Sequence, residues 1–458
     1  MFDKLHEECG VFGMYAPIGQ SVAKDIYYGL TALQHRGQES AGMAVWDTAG
    51  EKGNLTLKKD MGLVSEVFDA KTLGILSGNL GVGHVRYSTT GGSRPENAQP
   101  IAMHYIKGTL ALVHNGNLTN ADALKEQQMY RGQAHYTTTD SEVLAYEVIS
   151  ARLQCGCVED AVRKAAEGLK GGYAVLVMSP RKLVGMRDPF GLKPLILGRR
   201  GEAYMMASES AAIEAAGGEV IRDIRPGEIV TVTKDGIKSD TSLCSDKVAH
   251  CIFEYIYFAR NDSVIDGIEV QSARMKAGEA LAKREDPGFE ADLVAGVPDS
   301  GLSAAQGYAA YSQIPFGFAF HKNSYIGRSF IKPANEERAD AVHMKLSVLK
   351  SAVKNKRVVL IDDSIVRGNT MKQIVELLRK NGAKEVHVRI SSPPFLHPCF
   401  YGTDVANSSQ LIASGHSTEQ ICESIGADSL SYLQIADFET MVGKMGLCTA
   451  CFSGEYPV

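Results

Sequence analysis

Apolar positions along the chain come in short runs, each closed by small or polar residues. Val358-Val359-Leu360-Ile361 is the plainest of them, and its β-branched character predicts a buried parallel strand. Asp362 and Asp363 follow at once, then a small-residue loop, Ser364 to Thr370. A helical stretch from Met371 to Lys380 stops at Asn381-Gly382. Leu293 to Val297 repeats the arrangement: a strand, the small-residue loop Pro298-Asp299-Ser300-Gly301, and a helical Leu302 to Ser312. Ser272 to Arg284 has the spacing of an amphipathic helix. The earlier part of the chain reads differently. Cys9 to Tyr15 is a small-residue apolar strand with the cysteine at its start, and Leu33 to Gly42 ends a helix-like segment in a polar, glycine-punctuated turn. Gly81 to Thr89 is a strand carrying Arg86, and Val113 to Leu118 is a strand running into an Asn115-Gly116 turn. Thr139-Asp140-Ser141-Glu142 opens a helix in the manner of a capping sequence. Asp235 to Val248 is polar and short on pattern, which puts a linker near Asp240, and Cys251 to Arg260 begins a new unit.

Composition narrows the classes. At 458 residues the chain has room for two or three domains, and 44% apolar with 22% charged residues is ordinary for a globular protein. A net charge of −5 gives no reason to expect nucleic acid or an anionic membrane as partner. No uninterrupted apolar stretch reaches the roughly 18 residues of a membrane span. The start, MFDKLHEE, is too short and too acidic for a signal peptide. Nine cysteines, an odd number, argue against a disulfide scaffold and for a reducing cytoplasm, with thiols kept for catalysis or metal.

The chemistry of the later part starts from what is missing: no G-x-x-x-x-G-K-[ST] is present, so this is not a P-loop NTPase. The order strand, acidic pair, loop, helix puts a site at the carboxyl end of a parallel strand, where open α/β sheets bind ligands. Backbone N–H groups of the loop and helix start suit a phosphate, and the carboxylates suit ribose hydroxyls or a phosphate-bound Mg²⁺. The stretch RVVLIDDSIVRGNT, Arg357 to Thr370, closely resembles the phosphoribosyl pyrophosphate (PRPP) signature of type I phosphoribosyltransferases. Beside it, the loop at 298–301 suits the pyrophosphate half of PRPP. Lys322 to Phe330 suits a mobile lid whose Lys322 and Arg328 cover phosphates and exclude water.

Taken singly, the motifs of the earlier part have ordinary explanations. Cys9 could be a small buried residue, Arg86 a surface ion pair, Asn115-Gly116 a hairpin turn and Asp140 a helix cap. Splitting a glutamine side chain needs such a set together: a thiolate nucleophile, an arginine for the α-carboxylate, an acid for the α-ammonium, and donors for the oxyanion. C-G-V-F-G, L-Q-H-R-G-Q-E-S-A-G, G-H-V-R-Y-S-T and H-N-G-N-L resemble the class II glutamine amidotransferase domain, over roughly Cys9 to Asp240. The resemblance implies an N-terminal nucleophile hydrolase fold, a four-layer αββα sandwich. It implies Cys9 as nucleophile, freed by removal of Met1 to Glu8, with Arg86 on the glutamine carboxylate and Asp140 on its amino group. It also implies an oxyanion hole from the Asn115 side chain and the Gly116 N–H. Gly171 to Ala174, Arg187 to Gly191 and Ala207 to Ser210 match as well, and the last two read as structural strands and turns of that same domain.

The two motif sets together make the whole chain similar to the amidophosphoribosyltransferase family, glutamine–PRPP enzymes that open purine synthesis. The organisation implied is a propeptide at 1–8, a glutaminase domain at 9–240, and at 241–458 a parallel-sheet α/β phosphoribosyltransferase domain. The resemblance implies Mg²⁺ at Ser300, Asp362 and Asp363, and PRPP contacts from Lys322, Arg328, Ser364, Val366, Arg367, Gly368, Asn369 and Thr370. It further implies an apolar ammonia channel, purine nucleotides as feedback inhibitors, and a homodimer or homotetramer. Two departures stand out: the family commonly has proline at Asn261 and often threonine at Asn369. Cys448-Thr449-Ala450-Cys451 is by spacing alone compatible with zinc, an iron–sulfur cluster, a redox pair or nothing. One branch of the family carries a [4Fe–4S] cluster on cysteines matching Cys251, Cys399, Cys448 and Cys451, with Cys244 the rival to Cys251. Two other readings are distinguishable: a PRPP-sensing regulator without turnover, and a glutaminase serving another acceptor.

Overall fold

The computed structural model describes residues 9–49, 55–87, 92–323, 346–403 and 408–458. The leader at 1–8 and Arg328 of the expected lid lie outside them.

The N-terminal unit is built from strands β1 (Gly10–Tyr15), β2 (Ser40–Trp46), β3 (Leu55–Met61), β4 (Leu80–Arg86), β5 (Ile101–Tyr105), β6 (Gly108–Leu118) and β7 (Gly171–Ser179). It continues with β8 (Lys182–Arg187), β9 (Ile196–Arg200), β10 (Ala203–Ala207), β11 (Glu219–Asp223), β12 (Ile229–Thr233) and β13 (Gly236–Asp240). They form a seven-stranded sheet ordered β11-β9-β10-β1-β4-β2-β3 and a six-stranded sheet ordered β13-β12-β8-β7-β6-β5. Strand alternation sorts their side chains. Val11, Val82 and Val113 point into the layer between the sheets, while Phe12 and Met14 on β1 pack outward against Ile26 and Leu30 of the Ala23–Ala32 helix. On the far side, Leu112 and Val175 pack against the helices Asp140–Gln154 and Val158–Ala166. The result is the expected four-layer sandwich.

One expectation fails here. The chain does not turn at Asn115-Gly116; β6 runs straight through to Leu118, paired with β7 as far as Gly171. The glycine is needed for closeness rather than reversal. At φ +139° a Cβ on Gly116 would sit 2.0 Å from the Gly172 carbonyl oxygen.

The C-terminal unit adds β14 (His250–Cys251), β15 (Val264–Ile265), β16 (Ile268–Glu269), β17 (Leu293–Gly296), β18 (Phe320–Lys322) and β19 (Leu346–Val348). After these come β20 (Arg357–Asp362), β21 (Glu385–Ile390), β22 (Ser429–Tyr432) and β23 (Leu447–Cys448). β17, β20, β21 and β22 make a parallel sheet in that order. Helices Val270–Ala282 and Gly301–Ser312 cover one face. They touch through glycines: a Cβ on Gly278 would lie 1.8 Å from the Ala304 carbonyl oxygen. Helices Asn369–Lys380 and Thr418–Ile425 cover the other face.

A buried ion pair joins the units. Arg187, 1% exposed, donates from Nη1 and Nη2 to both Asp266 oxygens at 2.6 and 2.8 Å, and His250 Nδ1 lies 2.9 Å from the same carboxylate. Its neighbours hold Asp266 well below the ordinary carboxylate range against the opposing effect of burial, with Arg187 the strongest of them. The Arg187-Asp188-Pro189-Phe190-Gly191 motif, read from sequence as internal to one domain, is therefore half of an inter-unit contact.

Candidate active sites

The first site lies at one end of the layer between the two large sheets. Cys9 immediately precedes β1, on the same face as Val11, and Arg86 closes β4 on the same face as Val82. The Cys9 thiol donates to the Tyr87 carbonyl at 3.4 Å. Burial pushes it up to about 11; the Arg86 guanidinium opposes that shift, and Asp140 and Glu39 add to it. Arg86, 2% exposed, donates from Nη1 to Glu39 at 3.2 Å and to the Gly92 carbonyl at 3.4 Å. Asp140 is the first residue of its helix, and its Oδ2 accepts the N–H of Leu118 at 2.9 Å, which ties that helix start to the end of β6. Asn115 shares the inward face of β6 with Val113 and is fully buried. Neither Oδ1 nor Nδ2 of its amide has a hydrogen-bond partner among the described residues. Cys9, Arg86, Asp140 and Asn115, spread over some 130 residues of sequence, thus converge on one end of the sandwich.

The second site lies at the carboxyl ends of β17 and β20. Asp362 ends β20 and accepts the N–H of Asp363 at 2.9 Å. Asp363 accepts from Ser364 Oγ at 2.5 Å and from Ser300 Oγ, on the other loop, also at 2.5 Å. The two loops read separately from sequence therefore meet at one buried carboxylate. Gly301 permits it, since a Cβ there would lie 2.3 Å from the Ile361 carbonyl oxygen. Gly368, at φ +87°, turns the loop into the Asn369–Lys380 helix, and both Asn369 and Thr370 lie in that helix's first turn. Ile412 N–H donates to the Val366 carbonyl at 2.9 Å, and Arg367 donates to Gln410 at 2.5 Å, so the 408–414 segment packs beside the loop. Lys322, half-exposed, pairs with Asp299 next to Ser300.

The four cysteines singled out from the later part also converge. β14 pairs with β23 in parallel, with Cys251 opposite Cys448. Burial pushes Cys451 well up, and Cys399 and Cys448 add to the shift; burial likewise pushes Cys448 up to about 11. Cys244 stands instead beside Glu228 and Arg225. Among the described residues no three His, Cys, Asp or Glu side chains close on a single-ion position.

Sequence reasoning missed a third group of residues. Arg36, 1% exposed, donates to Glu254 from Nη1 at 3.2 Å and from Nη2, and to Glu209 from Nε. Glu209 also bonds His35 Nε2 at 2.7 Å, and accepts from Ser263 Oγ at 2.6 Å and the Arg260 N–H at 3.0 Å. The Ala207-Ser208-Glu209-Ser210 motif, too, therefore serves an inter-unit contact. A signal was present: Glu254 is a lone carboxylate inside the apolar run Ile252 to Phe258, and buried charge demands a partner.

Known proteins resemble this chain in both units. Residues 84–215 match the glutamine amidotransferase domain model and residues 266–391 the phosphoribosyl transferase domain model. The amidophosphoribosyltransferase of Bacillus subtilis is 46% identical, spanning 99% of this chain and 94% of its own length. That of Archaeoglobus fulgidus is 45% identical over 98% of each. The solved glutamine PRPP amidotransferase from B. subtilis, complexed with ADP and GMP, aligns with a TM-score of 0.89 at 44% identity, covering 98% of this chain and 97% of that one. A second structure, the allosteric regulatory enzyme of purine biosynthesis, gives 0.90 at 44% identity, covering 98% and 96%. With both units matched in one continuous alignment, the chain belongs to the amidophosphoribosyltransferase family.

Proposed function

We propose that the chain converts PRPP, glutamine and water to 5-phosphoribosylamine, glutamate and pyrophosphate, the first committed step of purine (IMP) synthesis. Cys9 is the nucleophile. A thiol pushed up to about 11 is a poor one on its own. Removal of residues 1–8 frees an α-amine on the same residue, with an ordinary pKa of about 7.7–8.0, to take the thiol proton. Attack on the side-chain amide gives a tetrahedral oxyanion, which the Asn115 amide and the Gly116 N–H stabilise. Collapse releases ammonia and leaves a thioester that water cleaves to glutamate. Arg86 holds the substrate carboxylate and Asp140 its ammonium.

The observation that carries this reading is Asn115. A buried amide without partners costs about 1–3 kcal/mol, and such a group is kept where a ligand will satisfy it. Its position in the same layer as Cys9 and Arg86 supports taking that ligand to be the reacting carbonyl.

At the second site ammonia displaces pyrophosphate from C1 of PRPP, with the 5′-phosphate on the N–H groups of Ser364 to Thr370. Asp362, Asp363 and Ser300 offer adjacent oxygen donors, the set a Mg²⁺ takes when PRPP phosphates and water complete its shell. Bound there, Mg²⁺ would neutralise charge on the leaving pyrophosphate. Lys322 and Arg328 cover the phosphates. Purine nucleotides compete for the same 5′-phosphate loop, and the chain assembles as a homodimer or homotetramer.

Cys251, Cys399, Cys448 and Cys451 fit a [4Fe–4S] cluster. Four thiolates on a cubane each take a different iron, so they need not close on one ion as zinc ligands do. Bound, the cluster would pin the start of the C-terminal unit to its end. Four iron atoms per chain, lost with the visible absorption in Cys451→Ser, would bear this out; stoichiometric zinc would overturn it.

The activity is tested anaerobically, on protein verified to begin at Cys9, by measuring glutamate and pyrophosphate with and without PRPP. Equal release of both only with PRPP establishes the reading. Glutamate release indifferent to PRPP points to another acceptor, and release of neither to a sensor.

A further inference from the structure

The strand that carries Asn115 and Gly116 loses one neighbour just before them. β5 pairs with β6 only from Gly108 to Leu112, while β7 stays paired with β6 as far as Leu118. An antiparallel strand turns the N–H and C=O of alternate residues to the same edge. His114, Gly116 and Leu118 therefore present theirs to the edge that β5 has left. Buried backbone groups need partners, and here side chains supply them. Gln99 Oε1 accepts the His114 N–H at 2.7 Å; the His114 carbonyl accepts from Gln99 Nε2 at 3.2 Å and lies 3.0 Å from His84 Nε2. Asp140 takes the Leu118 N–H at 2.9 Å. The Gly116 N–H stands between these two anchored groups, on the same edge.

Gln99 is 3% exposed, and its two ends lie on different sheets. Its backbone carbonyl rests on β2, where a Cβ on Gly42 would come within 2.0 Å of the oxygen. Gly42 is paired with His84 on β4, the strand that Arg86 closes. The side-chain amide rests on β6, and its Nε2 also donates to Ser141 Oγ at 3.0 Å, next to Asp140. One residue thus meets the sheet of Cys9 and Arg86, the strand of Asn115 and Gly116, and the helix start of Asp140. Both ends of its amide are spent on protein groups, so it takes no part in the chemistry itself.

Resting on the amidotransferase reading above, we propose that Gln99 is a positioning residue for glutamine hydrolysis, its side-chain amide replacing the strand that β6 lacks beyond Leu112. It fixes the edge from which the Gly116 N–H points and keeps that edge in register with Asp140. A preorganised donor must be aimed before charge develops, and a displacement of about 1 Å forfeits much of its effect. Without the amide, the described residues leave His84 as the only tie to this edge at His114, and β6 can tilt where Asn115 and Gly116 sit.

Gln99→Met is the test, because it keeps the length of the side chain and removes both bonding ends. Glutamate release is measured with PRPP saturating and expressed per Cys9 titrated with an electrophilic glutamine analogue, so that a smaller folded fraction cancels. On that basis kcat should fall about tenfold or more, part of the roughly 10²–10³-fold that deleting an oxyanion donor costs. Glutamine KM should stay within about threefold and ammonia-dependent pyrophosphate release within about twofold, the pattern of an interaction made in the transition state. A kcat per titrated Cys9 equal to wild type overturns the proposal, and so does a loss confined to KM. If Q99M fails to fold, Ser141→Ala unties Nε2 from the helix start while leaving the bonds of Gln99 to His114. That variant must lower kcat per titrated Cys9 by about twofold or more, or the proposal falls. A wild-type protein that releases no glutamate from glutamine would sink the underlying functional reading instead, whatever the variants do.

Discussion

Replacing Asn115 by leucine should make the protein more stable and nearly abolish its glutaminase. The two effects share one cause. The amide is fully buried, and neither of its polar atoms meets a partner among the described residues. Leucine copies its branched outline and removes the desolvation penalty, a gain of about 1–3 kcal/mol. For a unit the size of the N-terminal sandwich, that raises its unfolding temperature by about 2–4 °C per kcal/mol. In the proposed mechanism the same change deletes one oxyanion donor, which should lower kcat about 10²–10³-fold, or about 2.7–4 kcal/mol of transition-state stabilisation. Glutamine KM should change little, because in the proposed mechanism Arg86 and Asp140 hold the other end of the substrate. Calorimetry supplies the first number and PRPP-dependent glutamate release the second; ammonia-dependent pyrophosphate release, chemistry of the other site, serves as the control and should not move. A variant that melts below wild type and still hydrolyses glutamine at an undiminished rate would refute the reasoning, since Asn115 would then be satisfied within the protein rather than reserved for substrate.

Four further outcomes are expected. Gly116→Ala forces a Cβ to within 2.0 Å of the Gly172 oxygen at φ +139°; β6 and β7 must part, and glutaminase should fall with a stability loss above about 1 kcal/mol, read by activity and melting together. Cys9→Ala should lose glutamine-dependent synthesis and keep the ammonia-dependent reaction, so loss of both would argue against separate sites. With residues 1–8 still attached, the Cys9 thiol at about 11 should react with iodoacetamide at a rate still climbing beyond pH 10, whereas protein beginning at Cys9 should react readily near neutrality; equal profiles would remove the α-amine from the mechanism. Asp266→Asn leaves Arg187 buried without its counter-charge and should cost about 3–5 kcal/mol. Because the folded carboxyl lies below its unfolded value of about 3.9, the melting-temperature gap between wild type and D266N should hold at neutral pH and narrow only as pH falls below about 4.

Much of this was legible in the sequence because local pattern and chemistry agreed. The run Val358 to Ile361 followed by two aspartates gave both a parallel strand and the site at its end. Helices at Gly301–Ser312 and Asn369–Lys380 began within two residues of where periodicity put them. What escaped depended on distance in space. Asn115-Gly116 has the composition of a hairpin turn, and only the neighbouring strand explains why the glycine sits inside β6 instead. Arg187 and Glu209 lie in strand-and-turn motifs, and their partners Asp266 and Ser263 are dozens of residues away in the other unit. Asn261, where the family resemblance implies proline, accepts a 2.5 Å bond from Arg274 that a proline could not receive through its side chain.

The seam between the units holds two buried arginine–carboxylate contacts where apolar packing would serve stability as well or better. Their placement suggests what they add. Arg36 adjoins Gly37, which lies on the Arg86 backbone; Arg187 adjoins Asp188, which accepts N–H groups from Phe190, Leu192 and Lys193 and holds the Tyr173 backbone. Tyr173 is the residue opposite Gly116 in the sheet. Each arginine thus stands one residue from a support of the glutamine pocket, and each carboxylate belongs to the unit that holds the PRPP loop. An apolar seam tolerates sliding by fractions of an ångström, whereas a bidentate guanidinium contact does not. In the proposed reaction ammonia passes between the sites as a neutral molecule, without escaping to water, and that requires the two pockets to keep a fixed relation. The charged seam supplies the relation from the backbone outward, which is why the motifs that shape the glutamine pocket and those that join the units turn out to be the same stretches of sequence.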